Sequence, residues 1–182
     1  MNSVLSPQDP PPAFVWTNRI YYEDTDAGGI VFYANYLKFF ERARTEWLRA
    51  GGIDQRALSE RSGTLFVVRR TALDYLAPAR LDDLLRIDSR ITRLGRASVE
   101  FMQTATSGTQ VLATGTILVA CVDAARMRPT ALPPEVVAAL TLPALLTPPA
   151  PVPGTPSVPV PSVASAGVPA RASAQATEQH PT

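Results

Sequence analysis

A chain of 182 residues is long enough for one domain with a sizeable core and too short for two large ones. Seventeen basic residues against sixteen acidic ones leave a net charge of +1, which gives no whole-protein footprint for nucleic acid. The lone cysteine, Cys121, excludes an internal disulfide and fits a reducing compartment. No apolar run reaches the roughly 18 residues of a membrane span, and the N-terminus has no basic stretch leading into an apolar one. A cytoplasmic protein without stable membrane insertion is the expectation.

Proline divides the chain. Five of the eighteen prolines lie at or before residue 78 and thirteen at or after residue 129. Residues 1–12, with Pro10-Pro11-Pro12, read as a flexible arm. Residues 141–182 are mostly Pro, Ala, Val, Ser and Thr, a composition too poor in large apolar groups to offset ordering entropy, and read as a disordered tail. The folded unit is expected over residues 13–140.

That unit opens with an apolar, aromatic strand through Phe14-Val15-Trp16 and Ile20 to Tyr22. An acidic cluster, Glu23-Asp24-Thr25-Asp26, and the pair Gly28-Gly29 follow. The next pattern is helical: large apolar residues at 33, 36, 37, 40, 47 and 48, with Ala43, form one stripe at i, i+3, i+4, i+7 spacing. Lys38, Glu41, Arg42, Thr45 and Arg49 take the wetter side, and Arg42 is spaced to pair with Glu46. The stretch aims Asp26 and a bare glycine loop at a helix start, where free N–H groups and the positive end of the dipole can hold a developing negative charge.

Gly51-Gly52 ends the helix by the left-handed route open to glycine. Asp54 caps a short helix to Arg61. Four strand-like runs follow, Leu65–Leu76, Asp83–Leu94, Ser98–Thr106 and Val111–Asp123, joined by Ala77-Pro78-Ala79-Arg80, Gly95-Arg96 and Ser107-Gly108-Thr109. Links this short favour antiparallel hairpins. A last helical piece spans Pro133 to Leu140. The fold class is therefore α+β: a five-stranded antiparallel sheet wrapped around one long helix, in the order β-α-β-β-β-β. One helix cannot cover five strands, and the last strand is apolar or small on both faces, which suggests oligomerisation.

The order of elements, the run Tyr22-Glu23-Asp24-Thr25-Asp26-Ala27-Gly28-Gly29-Ile30-Val31, then Asn35-Tyr36 and Glu41-Arg42-Ala43-Arg44-Thr45-Glu46, resemble the hot-dog fold 4-hydroxybenzoyl-CoA thioesterase family. Phe66-Val67-Val68-Arg69, the segment from Tyr75 to Asp83, Cys121-Val122-Asp123 and Arg128-Pro129-Thr130-Ala131-Leu132-Pro133 extend the likeness over about residues 14 to 140. Within that family it looks most like the acyl-CoA thioesterases associated with the bacterial Tol-Pal envelope system. Those members usually carry His seven residues after the aspartate matching Asp26; here that position is Tyr33, as in 4-hydroxybenzoyl-CoA thioesterase itself.

The resemblance implies a thioesterase acting on acyl-CoA, or on acyl carrier protein, without cofactor or metal. It implies a homodimer or homotetramer with grooves shared between subunits. It casts Asp26 as nucleophile or general base and the Tyr33 backbone N–H as the group that polarises the thioester carbonyl; on the residues alone, Asp26 reads as a turn residue. Gly28 and Gly29 allow tight turning and close ligand approach. Arg69, Arg70, Arg93 and Arg96 are candidates to hold the coenzyme A phosphates, each being singly also an ordinary solvated charge. Tyr33 reads as pocket wall or core, and Cys121 as a small buried hydrophobe. No nucleophile elbow, Walker sequence, dinucleotide fingerprint or metal motif is present. The single histidine, His180, lies in the tail, which disfavours a histidine-dependent hydratase. The other reading kept open is a non-catalytic acyl-thioester-binding scaffold linked to the cell envelope.

Overall fold

The computed structural model describes residues 13–141. The arm over 1–12 and the tail from residue 142 lie outside the described residues. Along the chain come β1 (Ala13–Arg19), a 3-10 turn (Tyr22–Asp24), α1 (Asn35–Ala50), α2 (Gln55–Ser62) and β2 (Thr64–Tyr75). Then follow β3 (Leu84–Leu94), β4 (Ser98–Ser107), β5 (Gln110–Asp123), the two-residue β6 (Arg128–Pro129) and α3 (Pro134–Thr141). The expected five strands and long helix are all present. All pairings are antiparallel, in the order β1-β3-β4-β5-β2, with β6 beside the end of β5.

The link from β2 to β3 is not the hairpin its length suggests. β2 pairs with β5 at one edge, while β3 pairs with β1 and β4. Eight residues, 76–83, make the crossing, enough to span roughly 26 Å when extended. Backbone hydrogen bonds tie the segment down: Leu76 and Ala77 donate to Leu112 O, and Ala79 O accepts from Val31. Local length therefore misread the partner although it gave the strand direction.

The face α1 buries is also rotated from the simple stripe. Tyr36, Phe39, Phe40, Ala43, Trp47 and Leu48 are buried, whereas Tyr33 and Leu37 are 61% and 42% exposed. Each large side chain so buried contributes about 1.5–3 kcal/mol, so five on one helix form the main apolar contact with the sheet. Glu46 pairs with Arg49, three residues on, instead of with Arg42. Gly115 on β5 lets α1 come close: a Cβ there would sit 2.8 Å from the Phe40 ring and 2.6 Å from Leu73.

The core has two parts. One surrounds the first half of α1, with Ile20, Val31, Phe39, Phe40, Leu85 and Ile117. The other surrounds its second half, with Phe14, Trp47, Phe101 and Cys121, and is completed by Leu58 of α2 and Val136 and Leu140 of α3. The long helix thus does not cover the sheet alone, as expected, because the two short helices seal its C-terminal half. Nor does burial on β5 require a partner: β5 lies inside the sheet between β4 and β2. The sheet ends in two edge strands, β1 and β2, and the residues of β2 are mostly exposed, Leu65, Val68 and Tyr75 among them.

Candidate active site

The stretch between β1 and α1 folds as a miniature hairpin. Ile20 is fully buried and exchanges backbone hydrogen bonds with Asp82 and Asp83 at the start of β3. Asp24 closes the 3-10 turn through its carboxylate, which accepts from the Tyr21 N–H at 3.0 Å. Its carbonyl takes two further bonds, from Phe32 N–H and from the Asn35 side-chain amide, both 2.9 Å. These bonds staple the two ends of the loop together, so Asp24, one of the acidic cluster, is a buried structural carboxylate.

Between the stapled ends, Thr25 bridges Val31 and Ile30 bridges Arg80. Asp26 opens the tip: its N–H donates to Ile30 O and its carbonyl accepts from Gly29 N–H, both 2.9 Å. Its Oδ1 accepts from Gly28 N–H at 2.8 Å. The geometry favours glycine at both positions, by crowding at Gly28 and by backbone conformation at Gly29. A Cβ on Gly28 would stand 3.0 Å from that Oδ1, and Gly29 has φ +69°. The Asp26 side chain is exposed, and its second oxygen has no partner among the described residues.

The chain then enters α1 through Phe32, Tyr33 and Ala34. Ala34 offers no side-chain cap. Among the described residues no acceptor takes a hydrogen bond from the Tyr33 or Ala34 backbone N–H. Uncapped donors at a helix start attract negative charge. Beside them lies an open cavity of about 340 Å³, lined by Ile30, Val31, Tyr33, Tyr36, Tyr75 and the Leu76–Pro78 segment.

Three tyrosines shape that cavity. Tyr75 at the end of β2 donates its hydroxyl to Tyr33 O at 3.1 Å, and its ring meets those of Tyr33 and Tyr36 edge-on at 6.1 and 5.7 Å. The Tyr36 hydroxyl is buried and has no hydrogen-bond partner among the described residues. Burial pushes its pKa above 10.0, outweighing the opposing pull of the nearby Ala79 backbone, with smaller contributions from Asp83 and Tyr75 in the raising direction. Burial, with Tyr33 adding, raises Tyr75 as well. Both phenols therefore stay protonated and can only donate or accept weakly near neutral pH. On sequence Tyr36 was a core position within a family motif and Tyr75 the end of a strand within a matching segment, and neither was singled out as a site residue. Their meeting depends on the β2–β5 pairing.

The arginines are elsewhere on the chain. Arg69 and Arg70 sit at a bulge in β2, about 17–20 Å from Tyr75 at about 3.3 Å per residue. Arg70 is also engaged with Glu100 at 2.9 Å. Arg93 ends β3 beside a second bulge, and Arg96 lies in the β3–β4 turn, both exposed. The Asp26 hairpin adjoins the opposite, Leu84 end of β3. Within one chain, none of the four is brought to Asp26, whereas Asp26, Gly28, Gly29 and Tyr33 share one hairpin and its exit. Arg80, bridged to Ile30, is the exposed base next to that hairpin. No group of carboxylate, cysteine and histidine side chains suited to a metal occurs among the described residues.

This curled antiparallel sheet around a central helix, with an acidic glycine turn at the helix entrance, is the hot-dog thioesterase arrangement. The thioesterase-like superfamily profile matches residues 21–140, and the chain belongs to that superfamily. The acyl-CoA thioesterase YbgC of Haemophilus influenzae is 47% identical over 126 residues, covering 69% of this chain and 93% of that protein. The acyl-CoA thioester hydrolase YbgC of Escherichia coli O157:H7 is 48% identical over 127 residues, covering 69% and 93%. A probable thioesterase from Bartonella henselae superposes with a TM-score of 0.63 at 36% identity, covering 66% of this chain and 99% of that one. A 4-hydroxybenzoyl CoA thioesterase variant complexed with 4-hydroxybenzoyl CoA reaches 0.66 at 20% identity over 70% and 98%, and shares the fold.

Proposed function

We propose that this protein hydrolyses acyl-CoA thioesters to the free acid and coenzyme A, with Asp26 as the reacting carboxylate. The observation that carries the reading is the pairing of an exposed carboxylate, held in a glycine turn, with unpartnered N–H groups at the entrance to α1. The thioester carbonyl would accept from those donors, so that negative charge develops where backbone dipoles already point. Asp26 then either attacks the carbonyl carbon, giving a mixed anhydride that water opens, or takes a proton from an attacking water. In both routes the C–S bond breaks and the thiolate leaves; a thiol pKa near 8.5 makes that departure easy without a strong acid. The relatives named as acyl-CoA thioesterases support the substrate class.

Acyl chain length stays open in this reading, and acyl carrier protein is a second carrier to test. The test is thiol release from the purified protein with short-chain, long-chain, malonyl and benzoyl CoA and with an acylated carrier protein. Turnover with one or more CoA esters is expected. Saturable binding with no release from any of them would replace the enzyme by an acyl-thioester-binding scaffold.

The active unit in this reading is a cytoplasmic homodimer or homotetramer with sites at a subunit boundary. The open β2 edge, with Leu65 and Val68 exposed, supports pairing through that strand. The distance of Arg69, Arg70, Arg93 and Arg96 from Asp26 in one chain supports a groove in which a partner supplies the phosphate contacts. Mixing Asp26→Asn subunits with Arg69→Ala/Arg70→Ala subunits should restore part of the activity through hybrid dimers. Absence of recovery despite demonstrated subunit exchange would mean that each site is complete within one chain.

A further inference from the structure

The entrance to α1 is tied down on either side of two residues. The Phe32 N–H and the Asn35 side-chain amide both donate to Asp24 O, and the Asn35 N–H donates to Phe32 O at 2.8 Å. Between these anchors lie Tyr33 and Ala34, whose N–H groups donate to no acceptor among the described residues.

The Tyr33 carbonyl is held from outside the helix. In a regular helix it would accept from the N–H four residues on, but the Leu37 N–H goes to Ala34 O at 3.1 Å. No other backbone N–H among the described residues donates to it. The one hydrogen bond this carbonyl receives there comes from the Tyr75 hydroxyl, at 3.1 Å.

Tyr75 reaches it from the end of β2 and is itself fixed by the sheet. Its backbone pairs with Ala113 on β5, and the next two N–H groups, of Leu76 and Ala77, both donate to Leu112 O. Its ring meets that of Tyr36, a core residue only 3% exposed, edge-on at 5.7 Å. Partial burial, with Tyr33 adding, raises the phenol above its usual pKa of 10.0, so the oxygen keeps the proton it donates. The sheet thus delivers a fixed donor to a carbonyl that the helix leaves free.

A trans peptide is planar, so the Tyr33 C=O and the Ala34 N–H share one plane and point opposite ways. A bond that fixes the carbonyl therefore fixes the direction of that N–H. It also polarises the amide, which makes the N–H a stronger donor, as in chains of hydrogen bonds. The Tyr33 N–H is one Cα away on the same residue. Donors aimed in advance stabilise a developing oxyanion without reorganising during the reaction.

We propose that Tyr75 is a positioning residue for thioester hydrolysis: its hydroxyl holds the Tyr33 carbonyl so that the backbone N–H groups at the α1 entrance, that of Ala34 above all, are aimed at the thioester oxygen. This rests on the hydrolytic reading and adds to it a side chain that acts through the backbone.

Tyr75→Phe keeps the ring and deletes the hydroxyl. With the CoA ester of highest kcat/KM in the panel above, kcat should fall about tenfold, short of the roughly 10²–10³ that follows outright removal of an oxyanion donor. KM should stay within about twofold, as for an interaction realised in the transition state, and the melting temperature should stay close to the wild type. A second readout needs no turnover. Infrared difference spectra of a carbonyl-labelled acyl-CoA bound to Asp26→Asn should show the thioester C=O stretch moved to lower frequency, and adding Tyr75→Phe should shrink that shift. Wild-type kcat in Tyr75→Phe would overturn the proposal, as would a loss confined to KM or an equal carbonyl shift in both variants. A kcat that falls only in step with melting temperature would make Tyr75 a structural residue instead. Failure of the hydrolytic reading looks different, since the wild type would then release no thiol from any ester. The carbonyl shift would still decide on Tyr75, and no bound ester or no shift in Asp26→Asn would overturn the proposal.

Discussion

Replacing Asp26 by asparagine separates the turn from the chemistry. The Asn side-chain oxygen keeps the acceptor for Gly28 N–H, a bond of 2.8 Å in the wild type, so the hairpin should survive. Alanine removes the acceptor, and the bond's net worth of about 0.5–1.5 kcal/mol goes with it. Both variants lose the carboxylate. Turnover should fall at least about 10²-fold in each, roughly 2.7 kcal/mol in barrier, the scale of a missing general base. The measurements are thiol release at saturating acyl-CoA, thermal denaturation and solution mass on the same preparations. Asp26→Asn should match the wild type in melting temperature and mass, and Asp26→Ala should melt lower. Wild-type turnover in Asp26→Asn would remove Asp26 from the mechanism. Loss of activity only in step with loss of stability would return it to the role of a turn residue.

Three further outcomes are expected. Gly115→Ala puts a methyl 2.6 Å from Leu73 and 2.8 Å from Phe40, and should destabilise by about 1–3 kcal/mol; an unchanged denaturant midpoint would show that α1 has slack over β5. Tyr36→Phe removes a buried hydroxyl that has no partner among the described residues and should leave stability equal or higher near neutral pH. Because folding raises the Tyr36 pKa above 10.0, the folded state keeps a proton the unfolded state loses. That stabilisation is present below about pH 10 and fades as pH rises through the folded value, so the wild type should lose stability relative to Tyr36→Phe in that range. Deleting residues 145–182, a stretch without a core-forming pattern, should alter neither melting temperature nor turnover; a drop of several degrees would mean that it docks on the domain.

Periodicity located nearly every element because burial is imposed residue by residue along a helix or strand. It placed α1, the four later strands and α3 to within a few positions. It failed where partners are distant in sequence. Leu37 has the spacing of a buried residue yet faces outward, while Phe39, outside the chosen stripe, is fully buried. Which face a helix hides depends on how far it rotates against the sheet, and Gly115 sets part of that contact from 75 residues further on than Phe40. The hairpin of Asp26, Gly28 and Gly29 was legible because its bonds are local. The Tyr33-Tyr36-Tyr75 cluster and the Arg44-Gln103-Ser89 chain were not, since each joins α1 to strands whose order, β1-β3-β4-β5-β2, cannot be read from loop lengths.

The absence of histidine from residues 13–141 gives the proposed chemistry a pH signature. Histidine is the side chain whose ordinary pKa, near 6.5, gives enzymes a step close to neutrality. Here the groups next in range are moved away from it: burial raises Cys121 from 9.0, and both Tyr36 and Tyr75 from 10.0. Charge on the oxyanion falls instead to backbone N–H groups, which do not titrate. Turnover at saturating substrate should therefore show no step between about pH 6 and 8.5 once the pH dependence of uncatalysed thioester hydrolysis is subtracted. A sigmoid step near 6.5 would point to His180, and its disappearance in His180→Ala would bring the C-terminal segment into the reaction. A step that survives in His180→Ala would refute a catalytic step free of titrating groups in that range.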